Sequence, residues 1–271
     1  METWIPDQST REFYKDYVGI SDPQELKDHL ETIQQQLLQH GPPYKCIERY
    51  KFAYSRMCRR FFYDQLLEIG RNTKDPWLID IGCCAGIDLR QLQLDGYPGK
   101  YLVGTDISQY YIDYGYALCK DRGRFPAQFE VGDLFDDRFL SCQTTASPAV
   151  SRQGLNRFVH QAIAVISGSV LHLFDSLDTV QQFIIRVKAL LRPGGLFAGA
   201  HVASNQSMAI WRANRGSTKQ YTGIDDFRRM LEKEQFTDIV MQTEERMLEN
   251  DDDFGSTLVF WLSFTAIYNP T

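Results

Sequence analysis

The chain has 271 residues, 43% hydrophobic and 24% charged, with 19 Gly and 10 Pro. That composition describes a folded globular protein and excludes a collagen-like, low-complexity or disordered chain. Lys and Arg number 29 against 35 Asp and Glu, a formal net charge of −6, which gives no general attraction for nucleic acid or an anionic membrane. The six cysteines (Cys46, Cys58, Cys83, Cys84, Cys119, Cys142) show neither CxxC nor Cys/His spacing, and two of them are adjacent. Neither a disulfide framework nor a metal site is expected. The opening METWIPDQSTREFYKDY is charged from its second residue and lacks the apolar run of a secretory signal. The most apolar late stretch, 258–268, is too short to span a bilayer. A cytoplasmic protein with no integral membrane segment is the expectation.

Residues 1–75 read as helical, forming an N-terminal cap that belongs to the same unit as the rest. Asp22-Pro23-Gln24-Glu25 has the form of an N-cap, a first-turn Pro and a Glu at N3. Leu26, Leu30, Ile33 and Leu37 then make one apolar stripe, which Gly41-Pro42-Pro43 ends. A second helix is predicted over 46–70, rich in aromatic residues (Tyr50, Phe52, Phe61, Phe62). These rings either pack on the following domain or also roof an apolar ligand pocket.

From Pro76 the pattern alternates between short apolar runs and helical periods. Strands are predicted at 77–81, 101–106, 128–131, 162–167 and 196–200, with helices at 88–95, 108–121 and 179–191. The polar stretch 141–157 reads as a loop insertion, and 205–223, with a basic segment at 211–219, as a substrate-side segment. A helix at 224–234 and two runs at 238–246 and 256–268, a terminal hairpin, complete the core domain, 76–271. Strands separated by helices in this order imply an α/β, doubly wound, seven-stranded Rossmann-like sheet.

Ligands of such sheets bind beyond the carboxyl ends of the strands, where the strand order reverses. The first strand runs into Asp80-Ile81-Gly82-Cys83-Cys84-Ala85-Gly86, small residues that let a ligand approach the backbone. The second ends in Asp106, about 24 residues after Gly82, where a carboxylate can accept both hydroxyls of a ribose. A dinucleotide enzyme would need G-x-G-x-x-G to cradle a pyrophosphate. Here the loop is D-x-G-x-C-x-G, whose acid disfavours pyrophosphate and suits a cationic ligand with no phosphate, such as S-adenosylmethionine.

Leu78 to Gly86, Gly104-Thr105-Asp106, Val131-Gly132-Asp133-Leu134-Phe135 and Leu191-Arg192-Pro193-Gly194-Gly195 resemble the successive motifs of class I S-adenosylmethionine-dependent methyltransferases. The paired cysteines, the opening FYKDYVGI and the DGYP after the first core helix resemble a fungal subgroup in meroterpenoid biosynthesis that methylates the carboxylate of farnesylated aromatic acids. The resemblance implies that Asp80, Gly82 and Gly86 form the methionine-side loop and that Asp106 binds the ribose diol, with Ile107 beside the adenine. It implies that Asp133 accepts the adenine amino group, that Leu134 is an apolar wall, and that Ser167 and Gly168 line the methyl-donor side. Cys84 departs from the pattern by standing where many relatives have the middle glycine. Pro193-Gly194-Gly195 reads as a turn into the fifth strand.

A carboxylate nucleophile is ionised at neutral pH and needs no base, whereas a phenol or alcohol does. His172 and His201, just past the fourth and fifth strands, are candidates for that base, with His172 the stronger. Arg212 and Arg215, in a segment with three cations and no acid, are candidates for binding a substrate carboxylate. The leading expectation is therefore a methyl ester-forming O-methyltransferase acting on a large apolar acid. Base-assisted methylation of a phenol or alcohol and a non-catalytic cofactor-binding scaffold stand as alternatives. Nucleic acid is not an expected partner, since no Asn/Asp-Pro-Pro-aromatic motif follows the fourth strand to receive a flipped base. A homodimer is left open.

Overall fold

Asp22 starts the first long helix as its sequence demands. Its carboxylate accepts the N–H groups of Gln24 (3.0 Å) and Glu25 (2.8 Å), and helix α2 (Pro23–His40) buries the predicted stripe of Leu26, Leu30, Ile33 and Leu37. The computed structural model describes residues 5–40, 44–142, 153–212, 217–244 and 259–270. Ahead of α2, helix α1 (Gln8–Phe13), capped by the Asp7 side chain, runs into a π-helical turn (Tyr14–Val18) that Gly19 closes in the left-handed conformation.

The predicted continuous helix over 46–70 does not form. In its place are α3 (Lys45–Glu48), a 3-10 turn (Met57–Arg59) and α4 (Tyr63–Asn72). Tyr50 takes a positive φ of 55°, which takes the backbone out of the helix. Beyond it, the Asp88 carboxylate accepts the Ser55 hydroxyl (2.6 Å) and the N–H groups of Arg56 and Met57 (both 3.1 Å). Those amides thus find a side-chain acceptor in place of a helical carbonyl, and the aromatic run has little intrinsic helix preference to resist it.

Seven strands form one sheet in the order β3-β2-β1-β4-β5-β9-β8. They are β1 (Leu78–Ile81), β2 (Leu102–Asp106), β3 (Gln128–Val131), β4 (Ala162–Gly168), β5 (Leu191–Ser204), β8 (Phe236–Glu244) and β9 (Val259–Tyr268); β6 (Met208–Arg212) and β7 (Ser217–Tyr221) pair separately. The order reverses between β1 and β4, which pair in parallel, so the predicted fold class holds. The chain divides into two compact units, residues 1–75 with 83–132 and residues 76–82 with 133–271.

In the first unit the N-terminal helices share an apolar core with α5 (Ile87–Leu94) and α6 (Gln109–Cys119). Leu26, Leu30, Leu37 and Ile47 cluster with Ala85, Ile87, Tyr111 and Leu118, and His29 Nε2 lies 2.8 Å from the Leu118 carbonyl. The N-terminal segment is therefore built into the structure that follows β1.

In the second unit β4 is buried along nearly its whole length, followed by α7 (Leu177–Leu190) and β5. Strand β5 begins earlier than expected: Leu191 pairs with Ala162 and Leu196 with Ala164. The Pro193-Gly194-Gly195 turn is thus an excursion within the strand, with Gly194 at φ 77°. The predicted terminal hairpin is the antiparallel β8–β9 pair, and residues 245–258 between them lie outside the described residues. Of the basic segment 211–219 in the expected substrate-side stretch, Trp211 and Arg212 end β6 and Ser217 to Lys219 begin β7, two strands that pair antiparallel ahead of α8 (Ile224–Lys233), and 213–216 lie outside the described residues. Of the predicted loop insertion, 143–152 lie outside the described residues, while Gly154–Phe158 form a 3-10 turn. Among the described residues no helix is long and apolar enough to cross a membrane.

Candidate functional site

In the first unit the loop Cys83–Gly86 is held by its own backbone. Cys83 N–H donates to the Thr105 carbonyl (3.0 Å) and Gly86 N–H to the Cys83 carbonyl (2.8 Å), while Cys84 N–H donates to the Asp106 carboxylate (2.9 Å). Asp106, at the end of β2, also accepts the Ser108 N–H (3.1 Å). Burial pushes its carboxyl above the ordinary range, and the amides of Ser108, Cys84 and Ile107 oppose that by favouring the ionised form. The neighbouring Ile107 is 68% exposed, an apolar side chain presented to solvent beside a carboxylate.

Cys84 resolves the departure from the glycine pattern. It adopts φ 50°, the left-handed conformation a glycine would supply, at a strain of about 1–2 kcal/mol. Its N–H bond to Asp106 helps hold it there, and burial raises its thiol well above the ordinary value. Helix α6 packs directly on this loop: a Cβ on Gly115 would stand 2.3 Å from the Ala85 carbonyl oxygen, so only glycine permits the approach. One turn earlier, Tyr111 is buried and its hydroxyl oxygen has no hydrogen-bond partner. Burial first, then the charges that Cys84, Tyr44 and Asp106 would carry, raise its pKa. Leaving such a hydroxyl unsatisfied costs about 1–3 kcal/mol, so a ligand's polar group beside this loop would be stabilised by it.

In the second unit β1 carries the buried Asp80 and leads into Gly82, at φ 75°. A Cβ on Gly82 would meet the Val170 side chain at 2.3 Å, so glycine lets the end of β1 and the segment after β4 close on one another. Ser167, buried at the end of β4, donates its hydroxyl to the Ile81 carbonyl (3.1 Å). Gly168 follows, paired with Ala200 of β5. The structure thus brings Asp80, Gly82, Ser167 and Gly168 together at the point where the strand order reverses. Asp133 is exposed, its carboxylate accepting the Phe135 N–H (2.9 Å), and Leu134 beside it is buried.

The two histidines differ. His172 lies in a 3-10 turn (Leu171–Leu173), its Nδ1 accepting the Val202 N–H at 3.4 Å and its ring edge-on to Trp261 at 6.0 Å. A neutral ring in that arrangement carries its proton on Nε2. His201 turns the other way, its ring 4.8 Å from Phe227 and 5.9 Å from Phe264. Neither of its nitrogens has a partner, and burial lowers its pKa to about 3; it is a core residue and not a candidate base. The β6–β7 hairpin packs Met208 and Ile210 with Val202, Tyr221, Val259 and Trp261, next to His172. Arg212 ends β6, and Arg215 lies outside the described residues.

Two site features are absent from the sequence expectations. Tyr111 is one, and its four-residue spacing from Gly115, which puts both on one helix face, is the signal that could have found it. The other is Arg90 on α5, a charged residue that is fully buried.

Comparison with known proteins agrees with this architecture. Residues 3–53 match the meroterpenoid methyltransferase N-terminal domain family. Methyltransferase ausD of Aspergillus calidoustus is 27% identical over 194 residues, covering 70% of this chain and 64% of that protein. O-methyltransferase atr3 of Stereocaulon alpinum is 28% identical over 200 residues (73% and 53%). Methyltransferase adrK of Penicillium roqueforti is 32% identical over 181 residues (66% and 59%). The chain is similar to these fungal methyltransferases. It spans between about half and two-thirds of the length of these relatives. Among solved structures, the geranyl diphosphate C-methyltransferase of Streptomyces coelicolor, with S-adenosyl-L-homocysteine bound, superposes with TM-score 0.54 at 10% identity, covering 84% of this chain and 85% of that one. The 1,6-didemethyltoxoflavin-N1-methyltransferase of Burkholderia thailandensis, also with S-adenosylhomocysteine, gives TM-score 0.52 at 13% identity (93% and 92%). At these identities the likeness establishes the fold, that of the S-adenosylmethionine-dependent methyltransferases.

Proposed function

We propose that this chain is an S-adenosylmethionine-dependent O-methyltransferase of fungal meroterpenoid biosynthesis, forming a methyl ester on the carboxylate of a large apolar, prenylated aromatic acid. The observation that carries the reading is Asp106: a carboxylate at a strand end, held by loop amides, beside an exposed Ile107 and a buried tyrosine hydroxyl without a partner. Those residues fit a nucleoside with an apolar base and a diol, and no pyrophosphate cradle is needed. The N-terminal family match and the names of the homologues support the pathway.

In this reading Asp106 takes the ribose hydroxyls, Ile107 and Leu134 flank the adenine and Asp133 takes its amino group. Asp80, Gly82 and Gly86 shape the methionine side, and Ser167 and Gly168 line the donor side. The bound cofactor supplies an electrophilic methyl group on a sulfonium. The chain's own work is to hold a nucleophile in line with it and exclude water, which effective molarities value at several kcal/mol. An ionised carboxylate needs orientation alone, and Arg212 and Arg215 are the groups assigned to it. His172 accepts a hydrogen bond at Nδ1, so it suits donating from Nε2 better than removing a proton, which favours the ester over a phenol ether.

The test is mass spectrometry of candidate prenylated aromatic acids incubated with the protein and isotopically labelled methyl donor. The ester reading expects the mass of one methyl, lost again on alkaline hydrolysis, with turnover retained in His172→Ala. A label that survives hydrolysis, together with loss of turnover in His172→Ala, would move the reaction to a phenol or alcohol. Cofactor binding without methylation of any acceptor would make the protein a scaffold.

A further inference from the structure

The buried charges of the first unit stand outside the reaction just proposed, and they join the N-terminal segment to the cofactor loop. Arg90, one turn into α5, has its guanidinium wholly buried. Its Nε and Nη2 donate to the two carboxylate oxygens of Asp121, at 2.7 and 2.9 Å. Its Nη1 donates to the carbonyls of Ala85 (2.8 Å) and Gly86 (3.1 Å). The rings of Phe125, Tyr116 and Phe129 lie 4.6, 5.4 and 5.8 Å from the guanidinium carbon. Asp121 accepts one further bond, from the hydroxyl of Tyr17 at 2.9 Å.

Tyr17 belongs to the π-helical turn of the N-terminal segment. Its ring stacks on Phe13 at 5.2 Å, and Arg124 donates to its carbonyl at 3.3 Å. One line of hydrogen bonds therefore runs from the N-terminal segment through Tyr17, Asp121 and Arg90 to the carbonyls of Ala85 and Gly86. The same loop turns its amides the other way, Cys84 N–H to Asp106 and Gly86 N–H to the Cys83 carbonyl.

A buried ion pair is weak evidence for stability, because desolvating two charges offsets most of their attraction. Here the pair does something apolar side chains could not: it fixes two loop carbonyls in place and leaves one carboxylate lone pair for a residue of the N-terminal segment. We propose that Arg90 and Asp121 are positioning residues that hold Cys83–Gly86 in its ligand-receiving form, and that Tyr17 makes cofactor affinity depend on the seating of the N-terminal segment. The affinity part rests on the reading that this loop receives S-adenosylmethionine.

The experiment uses the full chain. Calorimetry with S-adenosylhomocysteine is run on wild type, Tyr17→Phe, Tyr14→Phe and Asp121→Asn, with hydrogen exchange measured over 82–90 without ligand. Tyr17→Phe deletes one hydroxyl; it should weaken binding about five-fold, the worth of one hydrogen bond, and quicken exchange at Cys84 and Gly86. Tyr14 donates its hydroxyl to the Ala53 carbonyl (2.8 Å), off the line, so Tyr14→Phe should lower the unfolding midpoint while leaving affinity and loop exchange unchanged. Combining Tyr17→Phe with Asp121→Asn should weaken binding by less than the product of the two single effects. If wild type binds and Tyr17→Phe binds equally well, the coupling is overturned and the cofactor reading stands. If wild type fails to bind, the cofactor reading falls. Unchanged loop exchange in Tyr17→Phe overturns the positioning role whether or not the ligand binds.

Discussion

His201 offers a stability test whose sign and size follow from burial. Its ring is 1% exposed, lies against Phe227 and Phe264, and has no partner for either nitrogen. The folded protein therefore keeps it neutral, with a pKa lowered from 6.5 to about 3, while the unfolded chain takes up a proton near 6.5. Above 6.5 both states are neutral and folding is indifferent to pH at this residue. As pH falls from 6.5 toward 3 only the unfolded chain gains the proton, and stability drops by about 1.4 kcal/mol per pH unit. Between pH 7.5 and 5.0 the loss from this one ring is about 2 kcal/mol. His201→Leu removes both the titration and two unsatisfied nitrogens, so the variant should gain about 1–2 kcal/mol at pH 7.5 and more at pH 5.0. Urea unfolding followed by circular dichroism at the two pH values measures this, with the wild-type minus variant difference cancelling the other titrating groups. An equal pH dependence in both proteins would show that the ring is hydrated or partnered in solution and would refute the reasoning.

Asp106→Asn keeps the shape of the side chain and removes its charge; S-adenosylhomocysteine affinity should fall by about ten-fold or more, as expected for charge-assisted bonds, and calorimetry showing no change would remove Asp106 from the site. Gly115→Ala places a Cβ 2.3 Å from the Ala85 carbonyl oxygen and should destabilise the first unit by about 1–3 kcal/mol, visible as a lowered unfolding midpoint. At Cys84, φ 50° predicts opposite responses to two substitutions. Cys84→Gly should stay within about 1 kcal/mol of wild type, because relieved strain offsets added unfolded-state freedom, whereas Cys84→Val should lose about 1–2 kcal/mol or more. Equal melting of the two variants would argue that the loop does not hold this conformation in solution.

The parts of the fold that could be read from the residues were those whose signal is local. Strands such as Leu78–Ile81 are short, mostly apolar runs set between Pro76 and Gly82, and Asp106 ends another such run. The helix expected over 46–70 failed because its fate is decided by Asp88, a residue distant in sequence whose carboxylate takes the amides of Arg56 and Met57. The β6–β7 hairpin was hidden by its charges. Half-buried Met208 and Ile210 alternate with exposed Ala209 and Trp211, a period of two, but the cations Arg212, Arg215 and Lys219 drew the reading toward substrate binding and away from strand pairing. Arg90 and Tyr111 were passed over for opposite reasons. A charge on a helix reads as solvent-facing and a tyrosine as filler, and only the packed structure shows one buried among acceptors and the other with a hydroxyl unmatched.

Strand β9 lies between β5 and β8 in the sheet, and among the described residues β8 has no other neighbour there. During synthesis, then, the growing polypeptide leaves the ribosome with β8 made but nothing to receive it and with one margin of β5 bare, until the residues of β9 follow. The sheet of the second unit can close only once β9 is made, and until then the open edges of β5 and β8 are the surfaces exposed to wrong pairing. The strands of the first unit are all made by Val131, well before β9.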